Sequence, residues 1–234
     1  MLLNKIIQSS TEDCESGVFT SYVNLFSYFK IVRSGIDISK ISQFRVDGIL
    51  LVLLLRFFRF RVIRRSFDFT SDAVHVFNKS AQLNLSIALV GGTEGTAVQA
   101  AAIFSERFGV IINYARSGFF DSEKEIRIFC HRLVEDNVDV VIIGMGAVKQ
   151  EEFMLALLDC GYNGSVYSCG GFFHQTVSHG GVYYPYLMDR LNLRWLYRIW
   201  DEPKLLKRYV LMYPIATFYV LKDVFIFYLR RKKG

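Results

Sequence analysis

The feature that most constrains this chain is an alternation of short apolar runs with amphipathic stretches, in which each apolar run ends at glycine. Residues 85–90, 138–143 and 165–169 have the length of buried strands, and glycines follow each of them. Continuous apolar strands that alternate with helices are typical of a parallel sheet covered on both faces. We therefore predict an α/β fold with a Rossmann-like parallel sheet and helices on both faces.

The stretches between these runs have helical spacing. Residues 96–108, 122–136 and 151–158 place apolar side chains on one face, and a further short strand is expected at 110–113. Ser122 followed by Glu125 has the spacing of a capping box, which predicts that a helix begins there.

Three glycine-rich turns follow the predicted strands and are candidate phosphate cradles. Backbone N–H groups can approach a phosphate there, and ligands of parallel sheets bind at the carboxyl ends of the strands. Structural turns use glycine equally often, so each turn has two readings. The turns contain Gly91 and Gly92, Gly144 and Gly146, and residues 169–171.

Several enzyme classes lack their motifs in this sequence. Lys149 occupies the last glycine position of a dinucleotide fingerprint, which disfavours a dehydrogenase, and neither a Walker A sequence nor a G-x-S-x-G elbow occurs. The four histidines have no metal-ligand spacing, and Asp-x-Asp is absent. We therefore expect no metal and no other cofactor, with arginine, lysine and backbone N–H groups holding any diphosphate.

The net charge of +6 is concentrated in two basic zones. Residues 45–65 contain six arginines and one aspartate, and residues 209–234 contain five basic residues and one aspartate. No nucleic-acid-binding motif accompanies them, and the terminal zone adjoins apolar sequence. An anionic membrane surface therefore fits better than nucleic acid.

Two apolar stretches bear on membrane attachment. Residues 49–55 are too short to span and predict a buried helix or strand. Residues 209–229 have the required length but contain Pro214, Lys222 and Asp223, which favours an interfacial helix over a spanning one. Without a recognisable signal peptide, and with four scattered cysteines that suggest reduced thiols, we expect the protein at the cytoplasmic face of the membrane.

Several segments together resemble the WecG/TagA/CpsF bacterial glycosyltransferases, glycosyltransferase family 26. The resemblance covers about residues 19–209 and is most specific in Gly-x-Gly-x-x-Lys-Gln-Glu and in Trp-Leu-Tyr-Arg…Glu-Pro…Arg-Tyr. The segments that carry it are Asp47-Gly48, residues 88–92, residues 142–151 and residues 193–209.

The resemblance implies an inverting, metal-independent enzyme of the cytoplasmic face of the bacterial inner membrane. Such an enzyme moves N-acetylmannosamine, its uronic acid or a hexose from a UDP-sugar to a polyprenyl-diphosphate-linked saccharide. The pathways are teichoic acid, common antigen, capsule or exopolysaccharide synthesis. The partners implied are the UDP-sugar, the lipid-linked acceptor and an anionic membrane, without nucleic acid; a homo-oligomer is left open.

The resemblance also assigns residues. Asp47 matches the proposed general base, and a carboxylate near the acceptor hydroxyl suits that role. Asn24, at the end of an early strand with Thr20, would bind donor or acceptor sugar, although an Asx-turn is the alternative reading. The other matched positions are Gly91, Gly92, Gly144, Gly146, Lys149, Gln150, Glu151, Arg198, Arg208 and either Arg64 or Arg65, whose register is ambiguous.

The sequence also departs from the family pattern. Val148 replaces a proline, His174 replaces an aspartate, and residues 183–185 differ, which leaves donor and acceptor identity open. A non-catalytic nucleotide-binding protein and another nucleotide-dependent transferase that uses His174 are the alternatives. We expect a catalytic domain at residues 1–192 and a helical, membrane-associating appendage at 193–234.

Overall fold

The computed structural model of the chain describes residues 1–9, 17–93, 95–179, 188, 191, 193–201, 203 and 205–231, without the side chains of Arg198 and Asp201. These residues form one six-stranded parallel sheet in the order β2-β1-β6-β5-β3-β4. The strands are β1 Phe19–Val23, β2 Gln43–Val46, β3 Ser86–Gly91, β4 Ile111–Arg116, β5 Val140–Gly144 and β6 Ser165–Ser168. The predicted parallel α/β fold is confirmed.

Helices connect the strands and cover the sheet. The helices of the strand-bearing region are α1 Leu2–Ser9, α2 Leu25–Ser34, α3 Ile49–Phe57, α4 Asp72–Gln82, α5 Thr96–Phe108, α6 Glu123–Glu135, α7 Lys149–Asp159 and α8 Phe172–His179. After them come α9 Arg194–Asp201 and a continuous helical segment, α10 Leu205–Arg231. Ser122 caps α6 as predicted, because its Oγ accepts a hydrogen bond from the Glu125 N–H at 3.2 Å.

Two buried clusters show that both faces of the sheet are covered. Alternate residues of β3 point to opposite faces, so that Ile87 and Leu89 belong to the cluster under α4, α5 and α8. Ala88 and Val90 belong to the cluster under α1, α2, α3, α6, α7 and α10. The sheet is therefore the middle layer of three.

Strand β2 is a part of the sheet that the hydrophobic pattern does not reveal. It contains Gln43 and Arg45, yet all four of its residues are buried. The Arg45 guanidinium donates to Asp72 Oδ2 at 3.0 Å, and the Tyr22 hydroxyl donates to the same oxygen at 2.7 Å. A buried charge is tolerated here because an oppositely charged partner and hydrogen bonds surround it.

The C-terminal helix α10 is docked on the body of the protein. Ala216, Val220 and Val224 are buried in the same cluster as the sheet. The Tyr28 hydroxyl of α2 donates to the buried Asp223 at 2.5 Å. Burial, followed by the hydrogen bond and charge of Asp223, raises the pKa of Tyr28 above its ordinary range, so that this hydroxyl remains a donor.

The opposite face of α10 is apolar and exposed. Residues 205–231 are long and apolar enough to cross a membrane, but only 22% of the most apolar window is buried in the protein. Five exposed apolar residues form one stripe at spacings of three, four or seven positions, with the exposed Lys222 between Phe218 and Phe225: Leu211, Ile215, Phe218, Phe225 and Leu229.

Removal of the Asp72 carboxylate is expected to destabilise the fold strongly. Asp72→Ala leaves the buried Arg45 without its charged partner, which should lower the free energy of unfolding by about 3–5 kcal/mol. Urea unfolding measures this change. The control Asp159→Ala removes an exposed bridge to Lys40 and should cost below about 1 kcal/mol. Equal losses in the two variants would contradict the expectation.

Candidate functional site

A cavity lies where neighbouring strands of the sheet send their helices to opposite faces. Strands β1 and β6 are neighbours, but α2 after β1 packs on one face and α8 after β6 packs on the other. Such a divergence opens a crevice at the carboxyl ends of the strands. The cavity there has a volume of about 500 Å³ and is lined from β1, α2, β6, α7, α8, α10 and the loop after β2.

A second, smaller cleft shares two residues with this cavity. Its volume is about 60 Å³, and both spaces are lined by Asn24 and Asp47. The cleft continues between α3, α9 and α10, towards the exposed Leu50. The residues that complete its wall are Leu25, Gly48, Ile49, Leu51, Arg64, Arg194, Trp195, Tyr209 and Tyr213.

Asp47 follows β2 and stands at the junction of the two spaces. Its side chain is 41% exposed, and its N–H donates to the Val23 carbonyl at 2.9 Å, which ties it to the end of β1. Arg64 Nε donates to the Asp47 carbonyl at 2.8 Å, and Arg64 Nη2 lies 3.9 Å from Asp47 Oδ1. A partly exposed carboxylate held beside a cation is suited to receive a proton from a bound hydroxyl.

Gly48 allows Asp47 and Asn24 to lie side by side. A Cβ added to Gly48 would come within 2.8 Å of Asn24 Cβ. Asn24 caps α2, because its Oδ1 accepts from the N–H groups of Phe26 and Ser27 at 3.0 and 3.1 Å. The cap fixes the Asn24 side chain through its Oδ1, and the NH₂ group takes no part in the capping bonds. The Asx-turn reading and the binding reading are therefore compatible.

Three consecutive predicted residues at the start of α7 differ in their exposure to solvent and to the cavity. Lys149 is exposed and outside the described lining of the cavity, Gln150 is 3% exposed and lines it, and Glu151 is fully buried behind it. Burial raises the pKa of Glu151 to about 7, and hydrogen bonds from Ser21 and Gln150 oppose this rise.

The glycine turns separate into two groups. Gly146, Gly170 and Gly171 line the cavity. Gly91 and Gly144 serve the close approach of β3 and β5, because a Cβ on Gly91 would lie 2.5 Å from the Gly144 backbone. Gly91, Gly92 and Gly144 are outside the described lining of both spaces.

The two adjacent arginines are distinguished by their partners. Arg64 lines the cleft and contacts Asp47, whereas Arg65 Nη1 donates to Asp72 Oδ1 at 3.1 Å, within the buried Arg45 network. The geometry favours Arg64 as the site residue. Thr20 is fully buried within β1 beside Gln43, away from the cavity lining.

The C-terminal region supplies a cation to the cavity. Arg208 lines it, and its guanidinium lies 4.2 Å from the centre of the Phe26 ring. Arg208 begins a π-helical turn, Arg208–Met212, which precedes Pro214; proline cannot complete an α-helical ladder. Arg198 belongs to α9, but its side chain is outside the described residues, so its predicted role stays a prediction.

Several cavity residues were not predicted. Ser66, Phe67 and Asp68 follow the arginine-rich segment, and Arg194 Nη1 donates to Asp68 Oδ2 at 2.8 Å. These residues lie in a loop without a recognisable motif, so the sequence gives no signal for them apart from the carboxylate of Asp68. His174, predicted only for an alternative activity, also lines the cavity.

The chemistry of the described lining is that of a polar site without a metal cluster. Among the residues that the structure describes, no three His, Cys, Asp or Glu side chains are grouped to hold a metal ion. Amides, hydroxyls, an imidazole, the carboxylates of Asp47 and Asp68 and one guanidinium line the cavity, which offers hydrogen bonds to a sugar and a cation to a diphosphate.

Comparisons with known proteins give the same family as the sequence motifs. The model of the Glycosyl transferase WecG/TagA/CpsF family matches residues 38–230. A Shigella boydii protein, UDP-Gal:alpha-D-GlcNAc-diphosphoundecaprenol beta-1,4-galactosyltransferase, is 36% identical over 201 residues, which cover 85% of this chain and 83% of that protein. The family match extends through most of α10, beyond the end at residue 209 expected from the sequence.

Proposed function

The chain belongs to the WecG/TagA/CpsF family of glycosyl transferases, and we propose that it transfers a sugar from a UDP-sugar to a saccharide carried on a polyprenyl diphosphate. The Shigella relative is named as a galactosyltransferase acting on GlcNAc-diphosphoundecaprenol, so galactose is the first donor sugar to test. The observation that carries the proposal is the position of Asp47 between two connected spaces. Family membership in a class of enzymes leaves the non-catalytic alternative without support.

The larger cavity is assigned to the donor. Its volume of about 500 Å³ lies at the carboxyl ends of β1 and β6, where nucleotides bind in open parallel sheets. Gly170 and Gly171 precede α8, whose N-terminal N–H groups favour an anion. Arg208 adds a positive charge to the same wall, so the diphosphate and the sugar can extend from α8 towards Asp47.

The smaller cleft is assigned to the acceptor. It approaches Asp47 from the side of α3 and α9, and Trp195 and Tyr209 offer rings against which a saccharide can pack. In the proposed reaction an acceptor hydroxyl attacks the anomeric carbon while Asp47 accepts its proton. The nucleotide leaves on the opposite side as UDP. Attack from the face opposite the leaving group inverts the anomeric carbon.

We propose that the departing diphosphate is stabilised without a metal. Arg208, the N-terminus of α8 and the backbone of residues 170–171 can meet the developing charge. The exposed Lys149 lies one residue from Gln150 and is a further cation at the edge of this region.

Membrane association is proposed for the face that carries the exposed stripe of α10. Leu53 and Phe57 of α3 are 54% and 80% exposed, and Trp200 of α9 is 76% exposed. The two basic zones meet at this side: Tyr228 donates to the Phe58 carbonyl at 2.6 Å, which joins the end of α10 to the arginine-rich segment. Apolar side chains with a basic rim are typical of interfacial attachment to anionic lipid.

The packing of α10 favours a peripheral helix over a spanning one. A spanning position would separate Ala216, Val220 and Val224 from the core and would break the bond between Tyr28 and Asp223. A position in the interface keeps this packing and lets the exposed stripe enter lipid. The cleft then opens beside the surface that holds a lipid-linked acceptor. Such acceptors serve the synthesis of cell-surface polysaccharide, and a cytoplasmic location follows if the donor is a cytoplasmic UDP-sugar.

Loss of the Asp47 carboxylate is expected to abolish most turnover. Asp47→Asn should lower kcat by about 10²–10⁴-fold, the range for a general base, and should change UDP affinity little. The assay is transfer of galactose from UDP-galactose to a GlcNAc-diphosphate lipid in detergent, with UDP affinity measured by calorimetry. Asp121→Asn, an exposed acid outside the site, is the control. Activity of Asp47→Asn within threefold of wild type would refute the assignment and direct attention to His174.

The proposed metal-independent reaction is tested by chelation. Transfer in excess EDTA should remain within about twofold of the untreated rate, because protein cations replace the role of a metal. The same enzyme titrated with Mg²⁺ or Mn²⁺ is the comparison. An absolute and titratable requirement for either ion would refute this part of the proposal.

The membrane face is tested on exposed side chains alone. The double substitution Phe218→Glu and Phe225→Glu should reduce co-sedimentation with vesicles containing anionic lipid by tenfold or more. Each phenylalanine ring that enters the lipid contributes about 1.5–3 kcal/mol to the binding free energy. Thermal stability should be unchanged because neither ring is buried within the protein. Phe119→Glu, exposed elsewhere, is the matched control. Truncation at residue 209 is a poorer test, since it would expose the core.

A further inference from the structure

Glu151 is buried directly behind the donor cavity and contacts the cavity only through its neighbour. It is fully inaccessible to solvent, and its Oε1 accepts two hydrogen bonds. Ser21 Oγ of β1 donates at 2.7 Å, and Gln150 Nε2 donates at 2.9 Å. Burial of a carboxylate costs free energy unless hydrogen bonds or opposite charges compensate it. The Oε2 atom of Glu151 has no hydrogen-bond partner among the described residues.

These bonds determine which end of the Gln150 amide meets the ligand. The carboxylate accepts hydrogen bonds only, so the NH₂ group of Gln150 must face it. The Gln150 carbonyl oxygen is buried and lacks a partner among the residues that the structure describes, while the residue lines the cavity. An unsatisfied buried acceptor at a cavity wall can accept a hydrogen bond from a donor group of the ligand.

We propose that Glu151, with Ser21, is a positioning residue that holds the Gln150 carbonyl towards the donor cavity, where it selects a hydrogen-bond-donating group of the nucleotide sugar. This inference rests on the proposed function of the cavity. The donating group is either a hydroxyl of the transferred sugar or the imide N–H of the nucleobase. A carbonyl oxygen would not favour a ligand that offers an ether or carboxylate oxygen at that point.

The protonation of Glu151 gives this arrangement a dependence on pH. Burial raises the pKa of Glu151 to about 7, hydrogen bonds from Ser21 and Gln150 lower it, and the charge of Glu152 raises it. Strand β6 contributes the Ser168 hydroxyl behind Ser21, and Asp47, His174 and Arg208 line the cavity in front of Gln150. Above pH 7 the charged carboxylate accepts both bonds more strongly than the neutral acid and holds the amide more firmly, so the affinity for the donor should rise as the pH rises through 7.

The same pKa has the opposite consequence for stability. Because the folded-state pKa lies above the ordinary value of 4.5, the folded protein binds more protons than the unfolded chain between these values. The contribution of Glu151 to stability should therefore fall as the pH rises from about 4.5 to about 7 and should change no further above it. Glu151→Gln removes the titration and with it this decline.

The test compares the full-length wild type with Glu151→Leu and Glu151→Gln. Glu151→Leu removes the acceptor and should raise the KM and the Kd for UDP-galactose about tenfold, with a smaller change in kcat. Glu151→Gln can still accept from Ser21 and Gln150, but only through a neutral oxygen, so its KM should match that of the wild type at pH 6. It should lose the change in affinity near pH 7. Glu106→Leu, exposed on α5, is the control.

Three results would overturn the inference. They are a folded Glu151→Leu whose KM and Kd stay within twofold of wild type, a pH step near 7 that persists in Glu151→Gln, and a tenfold loss in the Glu106→Leu control. Comparison of UDP with UDP-galactose identifies the donating group: a loss confined to UDP-galactose assigns the sugar hydroxyl, and an equal loss for UDP assigns the nucleobase. A wild type that binds UDP-galactose without transfer would refute the proposed function, while the Kd values would still decide the role of Glu151.

Discussion

The crevice between β1 and β6 determines where the site lies. All six described strands are parallel, so their carboxyl ends meet at one edge, and at the neighbouring strands β1 and β6 the following helices depart to opposite faces. Asn24, Asp47 and Gln150 come from three different strand ends and are brought to this edge by the topology. The position of the site follows from the connectivity of the sheet, and the identity of the side chains determines what it binds.

The floor of this crevice is unusually rich in buried polar groups. Arg45 and Asp72 lie beneath one side and Glu151 beneath the other, each almost fully inaccessible to solvent. Apolar residues of similar size would often be at least as stabilising at such positions. The Arg45 network fixes β2 and the loop that follows Asp47, whereas Glu151 bonds Gln150, whose carbonyl oxygen has no partner among the described residues. The first group therefore has a structural explanation, and the second requires a functional one.

The sequence predicted the elements whose signals are local. Helix α5, the Ser122 cap of α6 and strands β3, β5 and β6 follow from apolar periodicity and capping, within one or two residues. Strand β2 was missed because Gln43 and Arg45 are buried through partners that lie far away in the chain. The same reason explains why Arg64 and Arg65 could not be separated: the difference lies in Asp47 and Asp72, which only the fold brings near them. Asp68 was missed because its partner Arg194 is 126 residues away.

The C-terminal helix α10 has one face buried in the protein and another that is apolar and exposed. Its buried stripe packs on α2, its exposed stripe is apolar, and Arg208, Tyr209 and Tyr213 on its first turns line the two spaces of the site. A lipid surface that contacts the exposed stripe therefore contacts an element that also forms part of the site. The π-helical turn at residues 208–212 lies between these two roles, and a helix with a widened turn bends more easily than a regular one. Attachment at the exposed stripe would thus first change the position of Arg208, the cation nearest the proposed diphosphate. The family match, which continues to residue 230, is consistent with a helix that belongs to the transferase itself.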